Sequence, residues 1–600
     1  MIRRATLPLA VAVLTAACFL PALSGSFLNW DDSVNFLENP AYRGLGREQI
    51  RWAFTSVLFG HYIPLTRLTF SLNYVLGGMD PWGYHLVNVL LHGANAAVFY
   101  VVARRLLAAA VGGGSQDGRS DLALSAAAAV AALVFGVHPL RVEPVVWITG
   151  RADVLCAAFL LLSTWAYLRA VDGSGPTRRE LILVSAAAFA AALLSKGVAL
   201  PFPAVLLLLD VYPLRRLPRL GWRPLVREKI PLLVVTLVAT VIIVYAVRYG
   251  AVLTPAAQHG ALARVTVAAY SFVVSPARLV WPVALSPLYE MPARVSPLEP
   301  RFGLAVVTAV LVTAVLIVLR RRWPGGLAAW TFSALMLAPT SMAVRKGVDL
   351  APDRYSYLAG LGFAVLAGGA VFGVIRLVRR GALARPVAWA AAVAGVAVIA
   401  GLGASSWSFS EIWRESETLW RWAVELDPVC SVCHGKLGES VFVGPGGELR
   451  AAEAESLFRR AIALRPDLPD AYFNLGTVLM FQGRYAEAES PLRIYMERAP
   501  RAAAGPERLG RLYLLESRYE VAIPLLRTAL MRKPDTPGLR GYLVQALQGR
   551  ARELRANGLG TEAEPFLAES RALGQDDALP VGQLSEPPRA GRPDGPAQMR

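Results

Sequence analysis

Two adjacent aspartates, Asp31 and Asp32, stand just past the first apolar run, in SFLNWDDSVNFLENPAY from Ser26 to Tyr42. A carboxylate there can accept the proton of an attacking hydroxyl, or it can cap the helix that follows. Further along, HPLRVEPVVWITGRADVL places His138, Glu143, Arg151 and Asp153 in one short hairpin. Lys196 closes a later apolar run, and DLAPDRYSYLAGLGF carries Asp353, Arg354 and Tyr357. Ionisable groups at membrane depth are costly, so each is a candidate for function. Each also has a plain structural reading. His138-Pro139 can end a helix, Glu143 can pair with Arg141 or Arg151, and Lys196 and Arg354 can snorkel to headgroups. Taken together, a base and several cations suit transfer of a glycosyl group from a lipid phosphate to a hydroxyl. The carboxylate takes the hydroxyl proton and the cations meet the departing phosphate.

The elements that would position these groups follow from hydropathy. The chain has 600 residues, 55% hydrophobic and 17% charged. Roughly the first 400 alternate apolar runs with short Arg-rich breaks, and the remainder reads as water-facing. The net charge of +18 is not a nucleic-acid signal, because the arginines cluster in short loops as the positive-inside rule places them on the cytoplasmic side. The start resembles a signal peptide but reads as an uncleaved first span. Further spans are expected near 83–107, 122–138, 152–170, 181–196, 198–213, 230–248, 301–319, 325–341, 355–376 and 386–404. The run at 266–283 is read as interfacial or re-entrant, because a crossing there would put Arg320-Arg321-Arg322 outside. About eleven spans result, with the N-terminus cytoplasmic. The loops 29–82, 139–151, 249–300 and 342–354 then share the outer face with the C-terminal part. Ile50, Trp52, Phe54, Val57 and Leu58 give the first of these loops an amphipathic stretch suited to the bilayer surface.

From Trp407 onward a 34-residue period appears, with Pro466, Pro500 and Pro534 in register and Leu-Gly pairs at Leu437-Gly438, Leu475-Gly476 and Leu509-Gly510. This is the tetratricopeptide pattern of paired antiparallel helices, an α-solenoid that can bind a peptide or partner. The expected layout is all-α: a membrane domain over 1–404, a repeat domain over 405–573 and a disordered tail over 574–600. Within the repeats, CSVCH from Cys430 to His434 matches the attachment motif of a c-type haem. His434 nevertheless falls at a bulky helix position of the repeat frame, so a local disulfide or free thiols fit better than haem.

Several segments together resemble a family: the transmembrane and tetratricopeptide repeat-containing O-mannosyltransferases, of the GT-C class of membrane glycosyltransferases. They are Asp31-Asp32 after the first span, YIPLTRLTFSLNYVL followed by Tyr84-His85 and Asn88, the His138–Asp153 string, and DRYSYLAGLGF. The resemblance implies a polyprenyl phosphate sugar, usually mannose, as donor and a protein Ser or Thr as acceptor. Inversion at the sugar carbon is expected, with no cofactor and no required divalent metal. It implies that Asp31 and Asp32 serve as catalytic base and acceptor-site carboxylate, with Asp31 the first choice for the base. Donor phosphate or sugar contacts fall to His138, Glu143, Arg151, Asp153, Lys196 and Arg354, and acceptor or loop support to His61, Tyr62, Arg67 and His85. The repeats would recognise the protein acceptor. This chain departs from the family pattern at Ile63, Gly197 and Asp353, where Arg, Glu and Glu are frequent. Two other readings stay open: the same fold glycosylating a lipid or glycan, and a non-enzymatic membrane scaffold. The Arg- and Ala-rich composition points to a GC-rich bacterium, hence an inner-membrane protein with periplasmic repeats.

Overall fold

The computed structural model describes residues 2–112, 118–249, 260–340, 349–444, 446–447, 449–534 and 536–574. The tail expected over 574–600 lies outside the described residues from 575 onward. Among the described residues the chain is all-helical, with only two isolated β-bridges, Leu58 to His61 and Glu290 to Asp349. It divides into two compact units, one ending at Leu419 and the other beginning at Trp420.

The first unit opens with α1 (Ile2–Ala17). A long excursion follows that contains α2 (Arg47–Thr55) and α3 (Pro64–Gly77). Next come α4 (Pro81–Ala110), α5 (Gly118–Gly136), the short α6 (Val142–Val146), α7 (Arg151–Asp172), α8 (Gly175–Ser195) and α9 (Phe202–Val211). Two short helices, α10 (Leu217–Leu220) and α11 (Trp222–Glu228), lead into α12 (Ile230–Tyr249). The unit continues through α13 (Ala261–Val280), α14 (Pro300–Val318), α15 (Pro324–Leu337), α16 (Ser356–Ala359), α17 (Leu361–Arg379) and α18 (Arg385–Ile412).

Every expected span coincides with a helix, but the helices differ in reach. Among the described residues six are long and apolar enough to cross a membrane, or seven if the bent pair α5–α6 counts as one span. At 1.5 Å per residue the ten residues of α9 reach about 15 Å, half a hydrocarbon layer. The expected span at 198–213 is therefore too short to cross alone. The run at 266–283, expected to lie flat or re-enter, falls largely within α13, a helix of 20 residues with Pro276 inside it. Valines and leucines of α12, α14 and α18, among them Leu237, Val310 and Val396, are exposed. Such extended apolar surface is stable only against lipid.

Helix α19 (Ser416–Leu426) carries the chain across the boundary into four helix pairs. These are α20 (Ser431–Val443) with α21 (Ala451–Leu464), α22 (Asp470–Phe481) with α23 (Tyr485–Arg498), α24 (Ala504–Leu515) with α25 (Tyr519–Arg532), and α26 (Leu539–Ala556) with α27 (Gly560–Leu573). The Leu-Gly positions explain the close pairing. A Cβ on Gly438, Gly476 or Gly510 would come within 2.7 Å of Phe458, 2.5 Å of Leu492 or 2.8 Å of Leu526, each on the second helix of its pair. Gly476→Ala is therefore expected to destabilise the array by about 1–3 kcal/mol through overpacking, read as a lowered urea midpoint. An unchanged midpoint would show that Leu492 can move aside.

Candidate active site

The strap from Val142 to Gly150 is the platform on which the candidate residues assemble. Asn88 of α4 holds it, with its side-chain amide donating to the carbonyls of Val145 (3.1 Å) and Trp147 (3.2 Å). Arg151, the first residue of α7, locks the same region from beneath. Its guanidinium donates to Asn88 Oδ1 (2.7 Å), the Tyr84 carbonyl (2.7 Å), the Thr69 carbonyl (3.3 Å) and the Asn73 side chain. It lies 4.5 Å over the Phe70 ring. Arg151 is wholly buried, and the acceptors around it are neutral, so it braces α3, α4 and α7 together.

Asp32 ties the first loop to this strap. Its carboxylate accepts from the Leu28 N–H (3.0 Å), the Thr149 N–H (3.3 Å) and the Thr149 hydroxyl (2.6 Å). It precedes the helical turn Ser33–Leu37 but makes no side-chain bond to it, so the capping role that its position suggested is absent. Asp32 is fully buried, and that burial pushes its carboxyl up to about 7. Asp31 is half-buried and beside it. The loop is fixed on its other side as well, where Ser26 N–H donates to the Arg414 carbonyl (2.8 Å) and Asn29 N–H to Ser416 Oγ (2.9 Å). Beneath it, Phe36, Tyr42, Phe70, Tyr84 and Ile148 form a buried cluster. Asp31 thus stands on a loop with a rigid base.

Around the pair, Arg67 donates to the carbonyls of Ser56 (2.6 Å) and His61 (3.2 Å) and lies 5.2 Å over Trp52, which fastens α2 to α3. Burial lowers its guanidinium to about 10. A cleft of about 20 Å³ opens between Asn35, Trp52, Ile63, Arg67 and Thr149, so the unusual Ile63 lines the space next to the aspartate tie. Tyr62 is half-buried. His85 is buried under the start of the loop, its Nε2 facing Gly25, where an added Cβ would come within 3.0 Å.

The far end of the strap meets the segment after residue 348. Glu143 accepts from the Arg354 N–H (2.8 Å) and from its guanidinium, which also reaches Asp349 at 3.5 Å and lies 5.6 Å from the Trp147 ring. Asp353 pairs with Arg278 of α13 (3.0 Å) and accepts from the Tyr289 hydroxyl (3.0 Å). Burial pushes Asp349 and Asp353 up to about 7, while the surrounding carboxylates hold Arg354 well above its usual value. Lys196 donates to Asp153 (2.5 Å), and Ser195 beside it accepts at its carbonyl from Thr66 of α3 (3.0 Å).

His138 is spent otherwise: Nδ1 accepts from Leu140 N–H (3.2 Å) and Nε2 donates to the Leu279 carbonyl (3.0 Å). It ends one helix and anchors α13. The structure thus joins Asp31, Asp32, Glu143, Arg354, Asp153, Lys196 and Arg67 through the strap and α3, and it buries Arg151, His138 and His85 as supports.

Thr149, Asn73, Arg278 and Tyr289 are contributors that sequence reasoning did not single out. Only Arg278 carried a signal, as a lone cation at the end of an apolar run. Among the described residues no three His, Cys, Asp or Glu side chains group so as to hold a metal ion. In the second unit, Cys430 and Cys433 are joined in a disulfide, and His434 Nε2 donates to the Pro428 carbonyl (3.1 Å). The motif that resembled haem attachment therefore has its sulfurs bonded to each other.

An apolar cavity of about 520 Å³ runs from Leu358 and Met336 past Phe99, Leu160 and Phe202 to Arg322 and Trp323. Apart from a few polar groups near its ends, its walls are hydrocarbon.

A family model described as tetratricopeptide repeat matches residues 448–505. The chain is similar to protein O-mannosyl-transferase TMTC4 of Homo sapiens, 36% identical over 171 residues, 27% of this chain and 23% of that protein. It is also similar to TMTC1 of Homo sapiens, 31% identical over 226 residues, 34% of this chain and 24% of that protein. Tmtc3 of Drosophila melanogaster is 36% identical over 139 residues, 22% of this chain and 15% of that protein. The matched part thus spans about a quarter or less of these relatives' own length. Among solved structures, ArnT from Cupriavidus metallidurans bound to undecaprenyl phosphate aligns over 83% of this chain and 80% of its own, with 18% identity and a TM-score of 0.35. The tetratricopeptide protein YrrB aligns over 28% of this chain and 81% of its own, with 18% identity and a TM-score of 0.23. The chain is a helical membrane protein with a tetratricopeptide array, similar over part of its length to the TMTC protein O-mannosyl-transferases.

Proposed function

We propose that the protein is an inverting membrane glycosyltransferase that moves a sugar, mannose, from a polyprenyl phosphate to Ser or Thr hydroxyls of exported proteins. The observation that carries this reading is the clamped loop. Asp32 is consumed in fixing it to Thr149, which leaves the half-buried Asp31 as the carboxylate an acceptor can approach. In the reaction, the acceptor oxygen bonds to the anomeric carbon while its proton passes to Asp31. The bond from that carbon to the phosphate oxygen breaks, and the phosphate leaves with the electron pair. Lys196 and Arg354 suit the departing charge better than Arg151, because their side chains keep 14% and 15% of their exposure. The apolar cavity that begins at Leu358 suits a polyprenyl tail.

The same reading places the first residues in the cytoplasm and the repeats on the outer, periplasmic face of a bacterial inner membrane. The Cys430–Cys433 disulfide supports that side, since such bonds persist in oxidising compartments. Glu143 and Asp353 are met by arginines and Asp153 by Lys196, so we expect no requirement for a divalent ion. The purified protein in nanodiscs, given polyprenyl-phosphate mannose and a periplasmic extract, should add hexose to Ser or Thr residues with EDTA present. Hexose appearing only on lipid or glycan would move the acceptor class. No transfer under any metal condition would favour a scaffold.

A further inference from the structure

The repeat unit treats its arginines unequally. On the second helices three are matched to carboxylates, Arg459 to Glu455 (2.8 Å), Arg493 to Glu489 (2.8 Å), and Arg527 to Glu569, while Arg498 lies 5.1 Å over the Tyr472 ring and Arg532 donates to the Ala502 carbonyl (2.9 Å). On α24 two arginines are held by rings with buried, unbonded Nε atoms. Arg508 lies with Cζ 5.1 Å over the Phe473 ring of α22, and Arg511 with Cζ 4.5 Å over the Tyr542 ring of α26. Both Nε atoms are buried without a hydrogen-bond partner. Arg511 has Glu507 at 4.0 Å. Arg508 has no hydrogen bond and no ion pair among the described residues, and burial lowers its guanidinium to about 10.

These two arginines share one face of the unit. Successive first helices, α20, α22, α24 and α26, pack against one another more than the second helices do, which puts them on the inner side of the solenoid. Neighbouring polar groups on that face are already engaged, Asn474 with Glu439 (2.8 Å) and Lys436 with Glu439 (2.8 Å). A guanidinium held by aromatic rings and short of an acceptor is costly unless something brings the acceptor. An extended acidic segment would do so, its carboxylate meeting the guanidinium forks and its backbone lying along the aromatic floor.

We propose that this inner face binds an extended acidic polypeptide segment, with Arg508 and Arg511 taking one Asp or Glu carboxylate between Phe473 and Tyr542. The inference deepens the reading of the repeats as the docking face for a protein acceptor, but it does not depend on glycosyl transfer. A transfer assay on the same preparation separates failure of one from failure of the other.

The test uses the full chain in nanodiscs and fluorescein-labelled, C-terminally amidated peptides of alternating Ser with Glu, Gln or Lys, followed by anisotropy. The Glu peptide should bind at least about tenfold more tightly than the Gln or Lys peptides, and its binding should weaken with salt. Arg508→Gln and Arg511→Gln should each weaken it about tenfold, Arg508→Lys less so, and Arg459→Gln on α21 not at all. The thermal midpoint of Arg508→Gln should hold or rise, because an unpaired charge is removed. A fall in midpoint would assign Arg508 a structural role and overturn the proposal. So would equal binding of the Glu and Gln peptides, an Arg508→Lys that binds no better than Arg508→Gln, or binding only to phosphatidylglycerol vesicles.

Discussion

Asp31→Asn is expected to lower the rate of sugar transfer by about 10²–10⁴-fold, the usual contribution of a general base, while leaving the thermal midpoint in detergent unchanged. The separation is expected because Asp31 is half-buried whereas Asp32 is fully buried. Asp32→Asn should behave differently. Its carboxylate accepts three hydrogen bonds that fix Leu28 to Thr149, so the substitution should lower the midpoint and reduce transfer by displacing the loop. The pH dependence carries a sign. Burial raises the folded-state carboxyl of Asp32 to about 7, above an ordinary unfolded value of about 4. The folded state therefore holds this proton more tightly, and the stability it contributes is complete below about 4 and lost as pH rises through about 7. The midpoint gap between wild type and Asp32→Asn should narrow between about pH 4 and pH 7. A gap that widens, or transfer retained in Asp31→Asn, would remove the assigned roles.

Arg151→Ala is expected to cost about 3 kcal/mol or more, read as a large fall in the thermal midpoint or loss of folded protein. The substitution strands the Tyr84 carbonyl and the side-chain oxygens of Asn73 and Asn88, all acceptors of its guanidinium. A buried acceptor without a donor costs about 1–3 kcal/mol. It also removes the cation above Phe70, worth about 1 kcal/mol. Arg151→Lys should recover part of the loss, since one ammonium cannot reproduce a planar fork. If Arg151 instead held the donor phosphate, Arg151→Lys would raise KM for the donor with an unchanged midpoint. That pattern would reassign Arg151 from brace to ligand.

Much of the architecture is legible in the sequence. The 34-residue period gave the helix pairs, because each repeat must place small residues where two helices touch, as Gly476 against Leu492 shows. The apolar runs gave helix positions, because lipid leaves little choice of side chain. The reach of those helices was less legible: runs at 198–213 and 325–341 read like spans, yet α9 and α15 are 10 and 14 residues long. Buried helix segments inside a protein are as apolar as short crossings, so hydropathy alone does not separate them.

The candidate site divides the same way. Asp31, Asp32, Glu143, Lys196 and Arg354 could be picked from type and position, because a charge beside an apolar run is conspicuous. Their division of labour could not. Asp32 and Arg151 look as reactive as Asp31 and Lys196 in a linear string. They become supports only because Thr149, Asn73, Asn88 and the Tyr84 carbonyl close around them. By itself the sequence determined which residues are ionisable at membrane level and that helical repeats follow, since composition and period are local properties. The tertiary structure decided which carboxylate is fully buried and which only half-buried, and which cations are enclosed, since burial and hydrogen-bond saturation depend on partners far away in the chain.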